Sequence, residues 1–286
     1  MDIASLQAFV TVAEYGSFSR ASEKLYVTQP AVSKRIASLE SELGIHLFDR
    51  IGHNINLTEA GTALLPRARS ILMEIEDSRR TIANLSGDVG GKLSIGTSHH
   101  IGLHRLPPVL RQFSREYPKV ALDLHFMASE EACKAISHGE LELGIVTLPL
   151  EMPAELNSRE IWPDPLVVVA SFEHPLAIEN ADTLAQLLAF PAIMPEQGTY
   201  TRQTIEHAIV STGQQLTVGM STNYLETIKM MVSIGMGWSV LPETMLTDDL
   251  CVLNITELSI SRRLGIIWHR QRTLSNAATK MINALN

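Results

Sequence analysis

Along the first sixty residues the apolar positions fall in helical steps. Leu6, Phe9, Val10 and Ala13 occupy the i, i+3, i+4 and i+7 positions of a helix with one buried face, and Gly16 ends it. Ser17 or Ser19 can cap a second, short helix that turns Ala21 and Leu25 inward. After a turn at Tyr26 and Val27, Thr28 caps a third helix carrying Pro30 in its first turn, where a missing N–H costs little. Val32, Ile36, Leu39 and Leu43 form the core stripe of that helix, and Gly44 supplies its stop. Two helices joined by so short a turn make a helix-turn-helix, whose second helix fits a major groove. Ile45-His46-Leu47-Phe48 and Ile55-Asn56-Leu57 then alternate like short strands around Asp49–Asn54, with Gly52 at the tip. That pattern predicts a wing able to lie along the adjacent minor groove.

From Thr58 to about Ser86 the rhythm changes. Leu64, Ala68, Ile71, Ile75, Ser78, Ile82 and Leu85 alternate steps of four and three, the heptad spacing of a coiled coil, with Pro66 expected to kink the start. The stripe is narrow and ringed by Arg67, Arg69, Glu74, Glu76 and Arg80, which favours self-association over packing on the helix's own domain. Gly87-Asp88-Val89-Gly90-Gly91 breaks the helix as a hinge. From Lys92 short apolar strands alternate with helices, the mark of an α/β domain. The strands are expected at Lys92–Gly96, Ala121–Phe126, Leu143–Val146, Leu166–Ala170, Ala192–Met194, Thr217–Met220, Trp238–Leu241 and Leu264–Trp268. The helices are expected at Leu103–Tyr117, Glu130–His138, Thr201–Thr212, Tyr224–Ile234 and Ser275–Leu285.

Composition narrows the function classes. The 286 residues suffice for about two domains. No apolar run reaches membrane-spanning length, the N-terminus lacks the features of a signal peptide, and two cysteines exclude a disulfide scaffold or a Cys-rich zinc site. The expectation is a soluble protein of a reducing cytoplasm, with no membrane partner. The net charge of −8 argues against a generic polyanion binder, yet Arg20, Lys24, Lys34 and Arg35 face only Glu23 across the helix-turn-helix. A small basic face on an acidic chain suits a local, oriented contact with phosphates.

The third helix carries matching chemistry. Gln29 and Ser33 share a face, with Lys34 and Arg35 beside them. Gln can pair with adenine, Ser with either class of base edge, and Lys or Arg with guanine or phosphate. Such a face can also be an ordinary solvated one; the wider pattern decides. The runs Phe18–Leu25, Thr28–Arg35, Leu39–Gly44, Leu47–Arg50 and Leu57–Gly61, in this order and spacing, resemble the LysR-type transcriptional regulators. The resemblance implies that Gln29, Pro30, Ser33 and Lys34 approach bases while Thr28 and Arg50 hold phosphates. It departs at His53, where the family often places an arginine; Arg50 is then the wing's one permanent cation, and the expected minor-groove contact is either weaker or dependent on protonation of His53.

For the rest of the chain the resemblance implies a two-lobed α/β effector domain like a type II periplasmic binding protein. Its crossover strands are expected near Ile161–Asp164 and Leu264–Trp268. The expected organisation is a winged helix-turn-helix at 1–58, a dimerisation helix and hinge at 59–90, and an effector domain at 91–286. Lobe one then comprises about 91–161 plus 268–286, and lobe two 162–267. Dimers would pair into tetramers on an interrupted inverted repeat of double-stranded DNA, with RNA polymerase as a partner if the protein activates.

In open α/β sheets ligands sit beyond the carboxyl ends of strands, against helix starts. Three such edges are present: Thr97, Ser98, His99 and His100; Thr199, Tyr200, Thr201 and Arg202; and Asn223 with Tyr224. Thr147 ends a further strand. Hydroxyls beside cationic candidates point to a small anionic metabolite between Ser98 and Thr201, with His99, His100 or Arg202 supplying charge. The plainer reading makes Ser98, Thr199 and Thr201 simple N-caps. His99, His100 and His104 invite a metal reading, since i and i+4 on a helix can share one ion, but there is no HExxH and no carboxylate at ligand spacing, so no metal is expected. The absence of hydrolase, nucleotide-binding and dinucleotide motifs excludes the common enzyme classes. Cys133 and Cys251 read as buried core cysteines. Two other functions compete: a metabolite-binding protein with a non-functional DNA module, and a redox-sensing regulator using those two cysteines.

Overall fold

Helices α1 (Ile3–Tyr15), α2 (Phe18–Lys24) and α3 (Gln29–Leu43) form where stripes and caps predict. The computed structural model describes residues 1–51 and 54–285, the side chains of Arg50, Ile51 and Asn54 excepted. Asp2 caps α1 by accepting the Ser5 N–H at 2.7 Å, and Ser17, not Ser19, caps α2. Gly16 and Gly44 take the left-handed conformation that ends a helix, with φ of 58° and 67°. Thr28 stands at the N-cap of α3, but its side chain makes no capping bond. Leu43 leaves the predicted core stripe: the last turn of α3 runs past the core, whose final α3 member is Leu39.

The wing is shorter than its alternation implies. Strands β1 (Phe48–Ile51) and β2 (Asn54–Leu57) pair antiparallel, while residues 45–47 lead into them. Glu40 of α3 is the reason. Its Oε1 accepts the N–H of Leu47 at 2.7 Å and of Phe48 at 3.4 Å, satisfying from a side chain donors that a strand would have used.

Thr58 caps α4 (Glu59–Asn84) by accepting the Gly61 N–H at 3.0 Å. A Cβ at Gly61 would lie 2.2 Å from the Leu47 carbonyl oxygen, so only glycine permits this approach. The helix continues through Pro66. Leu64 and Ala68, expected on the dimerisation stripe, pack instead into their own domain's core with Leu6, Phe9, Val32 and Leu39. Beyond them Ile71 is exposed, Ile75 half-buried, and Ile82 and Leu85 are 71% and 82% exposed.

The chain divides after Ser86. The second unit runs β3 (Gly91–Thr97), α5 (His99–His104), α6 (Leu106–Glu116), β4 (Val120–Phe126), α7 (Ser129–Ser137), β5 (Leu143–Thr147) and β6 (Leu156–Ala170). It continues through α8 (Pro175–Ile178), α9 (Leu184–Leu188), β7 (Ala192–Met194), α10 (Tyr200–Val210), β8 (Val218–Ser221) and α11 (Leu225–Ser233). A strand β9 (Ser239–Pro242), β10 (Cys251–Leu253), β11 (Ile260–His269) and α12 (Asn276–Ala284) complete it. The helix expected at Leu103–Tyr117 is broken at Arg105, because Pro107 and Pro108 open a new helix. The short α8 and α9 carry too few turns to show a period.

Two long strands build the architecture. β6 and β11 pair antiparallel from Ile260 opposite Leu166 to His269 opposite Leu156. Both expected crossover segments lie inside them. At one end β11 continues the sheet through β5, β3 and β4; at the other β6 carries β9 and β10, and β7 pairs with β8 in a small separate sheet. Each end has its own core. Lobe one packs Leu93, Ile95, Phe113, Leu143, Leu264 and Met281; lobe two packs Leu184, Leu187, Ile205, Ile209 and Val240 around the fully buried Trp238. Among the described residues no helix is long and apolar enough to cross a membrane.

Candidate functional site

Two sites emerge, one in each unit. On the first, the start of α3 presents Thr28, Gln29, Pro30 and Lys34 to solvent, with Ser33 and Arg35 half-buried. Gln29 Nε2 donates to Ser33 Oγ at 3.0 Å, so the two side chains are pre-set as a pair. Arg20 and Lys24 of α2 are exposed. Arg50 lies in β1, its side chain undescribed, and His53 is outside the described residues.

The second site is a cleft of about 320 Å³ between the lobes of the second unit, a volume suited to a small metabolite. Lobe one contributes Ser98, His99 and His100 from the start of α5, Phe126 to Glu131 from the β4–α7 turn, and Thr147 from the end of β5. Lobe two contributes Pro195, Glu196, Thr199, Thr201 and Thr222 to Leu225, and Arg262 of β11 forms part of the wall. Eight of the eleven effector-site candidates thus meet in one cleft: Ser98, His99, His100, Thr147, Thr199, Thr201, Asn223 and Tyr224.

Three candidates point elsewhere. Thr97 is fully buried and donates to the Ile145 carbonyl at 2.8 Å. Tyr200 packs against the core around Cys133, and its backbone N–H donates to Glu130 across the lobes. Arg202, the expected cation, is buried away from the cleft, bonded to Glu206 at 2.6 Å.

The cleft's cation is Arg262. Its Nε donates to Asp164 Oδ2 and its Nη1 to Thr201 Oγ1, both at 2.7 Å, while Nη2 is buried with no partner. Asp164 is fully buried and also accepts from Arg105 Nη2 at 3.1 Å. One carboxylate therefore serves two guanidiniums, and Arg262 is the guanidinium that reaches the cleft wall. Sequence reading missed Arg262 although a signal was present. Ile260, Arg262, Leu264 and Ile266 alternate onto the buried face of β11, so the arginine occupies a core position.

The hydroxyls divide by role. Thr199 acts as an N-cap, accepting the Arg202 N–H at 3.3 Å, and Thr201 holds Arg262. Ser98 stands at the N-cap of α5 without a capping bond. Ser129 Oγ accepts the Thr147 N–H at 3.0 Å. His99 stacks on Phe126 with centroids 5.4 Å apart and leans on Tyr224 at 5.2 Å. His100 is buried, and that burial, reinforced by Arg262, lowers its pKa to about 3 and keeps it neutral. Among the described residues three carboxylates line the cleft: Glu130 accepts the Tyr200 N–H, Glu196 is engaged by Asn223, whose Nδ2 donates at 3.0 Å, and Glu131 is exposed.

The comparisons with known proteins agree on both halves. Residues 3–62 match the model of the bacterial regulatory helix-turn-helix protein, lysR family, and residues 86–286 match the LysR substrate binding domain. The chain belongs to the LysR family of transcriptional regulators. Over 108 residues, 38% of this chain and 75% of the relative, it is 66% identical to an uncharacterized HTH-type transcriptional regulator in the ibpB-leuC intergenic region of Azotobacter vinelandii. It is 30% identical to the HTH-type transcriptional activator CmpR of Synechocystis, over 98% of this chain and 93% of that one. Full-length CbnR, crystallised with its target DNA, shares the fold at a TM-score of 0.63 and 21% identity, covering 100% of this chain and 99% of that one. As a LysR-type regulator the chain is a DNA-binding protein with an effector domain, not an enzyme.

The cysteines of this regulator sit in different lobes and are both free. Cys133 is buried on α7; Cys251, expected to be buried, is half-buried because β10 lies at the edge of the sheet. Burial pushes the Cys133 thiol up to about 11, against an ordinary 9. That leaves it ~100-fold less thiolate at neutral pH than a free thiol. Brief maleimide treatment of the native chain should therefore label Cys251 alone, read by peptide mass spectrometry; equal labelling of Cys133 would contradict this burial.

Proposed function

We propose that the chain regulates transcription from specific sites, its DNA binding governed by a small anionic metabolite seated between the lobes. The observation supporting this most directly is the Arg262 guanidinium in the cleft wall, beside the hydroxyls of Ser98, Thr147 and Thr201. A carboxylate or other oxyanion would be drawn to that guanidinium, and charge-assisted bonds of this kind are the strong ones. The arginine's burial leaves its field little screened, whereas of the lining carboxylates Glu131 faces solvent, Glu130 takes the Tyr200 N–H and Glu196 takes Asn223. The test is thermal unfolding against a panel of dicarboxylates, keto acids, amino acids, aromatic acids, sulfate and phosphate. At 100 times its dissociation constant a ligand adds ~2.7 kcal/mol of stability. A selective shift by one anion class supports the reading; neutral compounds shifting as strongly would overturn it.

On DNA, Gln29, Pro30, Ser33 and Lys34 would approach base edges while Thr28 and Arg50 hold the backbone, with Arg35 beside them reaching guanine or phosphate. Gln29→Ala or Ser33→Ala is expected to relax base preference at one position by ~1–3 kcal/mol. Because the two side chains bond each other, the double variant should cost less than the sum. Arg50→Ala should instead weaken all sequences alike and flatten the salt dependence. Selection on randomised duplexes and salt titrations separate these outcomes. Two copies would associate through the exposed Ile71, Ile82 and Leu85 of α4 and pair further into a tetramer on an interrupted inverted repeat. Its DNA target makes the cytoplasm the fitting location, and RNA polymerase would be a partner where it activates.

A further inference from the structure

Beside the hydroxyl-lined part of the cleft lies a second cluster, which shares His100 with the cleft wall. His100 and His104 stand one turn apart on α5 of lobe one, their rings 5.0 Å between centroids. Glu226 comes from α11 of lobe two and meets His104 Nε2 at 3.1 Å. One ligand atom from each of the three residues lies within 4.8 Å of the others. We propose that His100, His104 and Glu226 form a three-ligand site for one borderline divalent transition-metal ion of the zinc class, joining lobe one to lobe two.

Two independent observations carry this. The first is the spacing. Two ligands of one tetrahedral zinc, each ~2.0 Å from the metal, stand about 3.3 Å apart, close to the separation His104 and Glu226 already have. The second is His100 itself. It is 3% exposed, and neither of its ring nitrogens has a hydrogen-bond partner. A buried imidazole without a partner is costly unless something takes its lone pair. Two imidazoles and one carboxylate are a set that zinc accepts, with a fourth position open to water. Arg105 and Arg262 lie near enough to oppose a cation; the buried Asp164 between them offsets part of that charge, and the Glu226 carboxylate beside His104 attracts the ion. The carboxylate is 122 residues from His104, which is why sequence spacing hides it.

The test uses the full-length, tag-free chain stripped with a chelator and titrated with zinc(II) against a chromophoric indicator. The expected result is one zinc per chain at micromolar affinity or tighter, with a rise in unfolding temperature. Magnesium, which prefers all-oxygen ligands, should not compete. Glu226→Gln and His104→Gln change partly exposed side chains and should each weaken zinc binding at least about tenfold, with the fold intact by circular dichroism. No zinc bound at micromolar concentrations, or equal binding by wild type and both variants, would overturn the site. The titration contains no candidate effector, so its failure would leave the anion reading untouched.

Discussion

Asp164→Asn should destabilise the C-terminal unit by about 3–5 kcal/mol, lowering its calorimetric midpoint by roughly 6–20 °C. The expectation rests on geometry. Asp164 is fully buried and is the shared acceptor for Arg262 Nε at 2.7 Å and Arg105 Nη2 at 3.1 Å. Asparagine keeps the size but removes the carboxylate charge paired with two guanidiniums, and it turns an NH₂ donor toward one of them. A buried cation left without its partner costs far more than the intact pair contributes. The helix-turn-helix unit, with its separate core, should keep its own transition. A loss under about 1 kcal/mol would mean that water or another acceptor already satisfies the arginines.

Arg262→Met should weaken the effector by about 10- to 150-fold, the ~1.5–3 kcal/mol of a hydrogen bond to a charged group. Methionine keeps much of the apolar stem's packing and removes the fork. Asp164 retains Arg105, so the fold should survive. Arg262→Lys restores charge without the fork and should recover only part of the affinity, since an ammonium cannot hold Asp164, Thr201 and a ligand in the same plane. Calorimetric titration of each variant with the anion that stabilises wild type gives the comparison. Unchanged affinity in Arg262→Met would remove the guanidinium from the site.

Much of this was legible because it is local. Gly16 and Gly44 announce helix ends in one residue each, and the steps from Leu6 to Ala13 name the buried face of α1. The heptad run misled, because one stripe serves two ends: Leu64 and Ala68 cover the helix-turn-helix core before the rest of α4 emerges. Spacing cannot tell a partner helix from the helix's own domain. The cleft was legible wherever a hydroxyl follows a strand, as at Ser98 and Thr199. Its charge was not. Arg202 stands beside the right helix start but turns to Glu206, while Arg262 arrives from a strand 61 residues beyond Thr201. Ionic partners so distant in sequence are set by how β6 and β11 register, which no single segment encodes.

The claim that an anion in the cleft governs DNA binding has one direct measurement. The full chain is titrated onto a labelled duplex from the region upstream of its own gene, with and without the stabilising anion at saturation. Arg262→Met is run beside it. The account predicts salt-dependent, sequence-selective binding whose affinity changes about 5- to 150-fold, or whose footprint changes length, with the anion present. It predicts that Arg262→Met binds the duplex but responds little to the anion at the same concentration. Identical affinity and footprint with and without saturating anion would contradict effector control. Absence of sequence-selective binding altogether would leave a metabolite-binding protein with a silent DNA module.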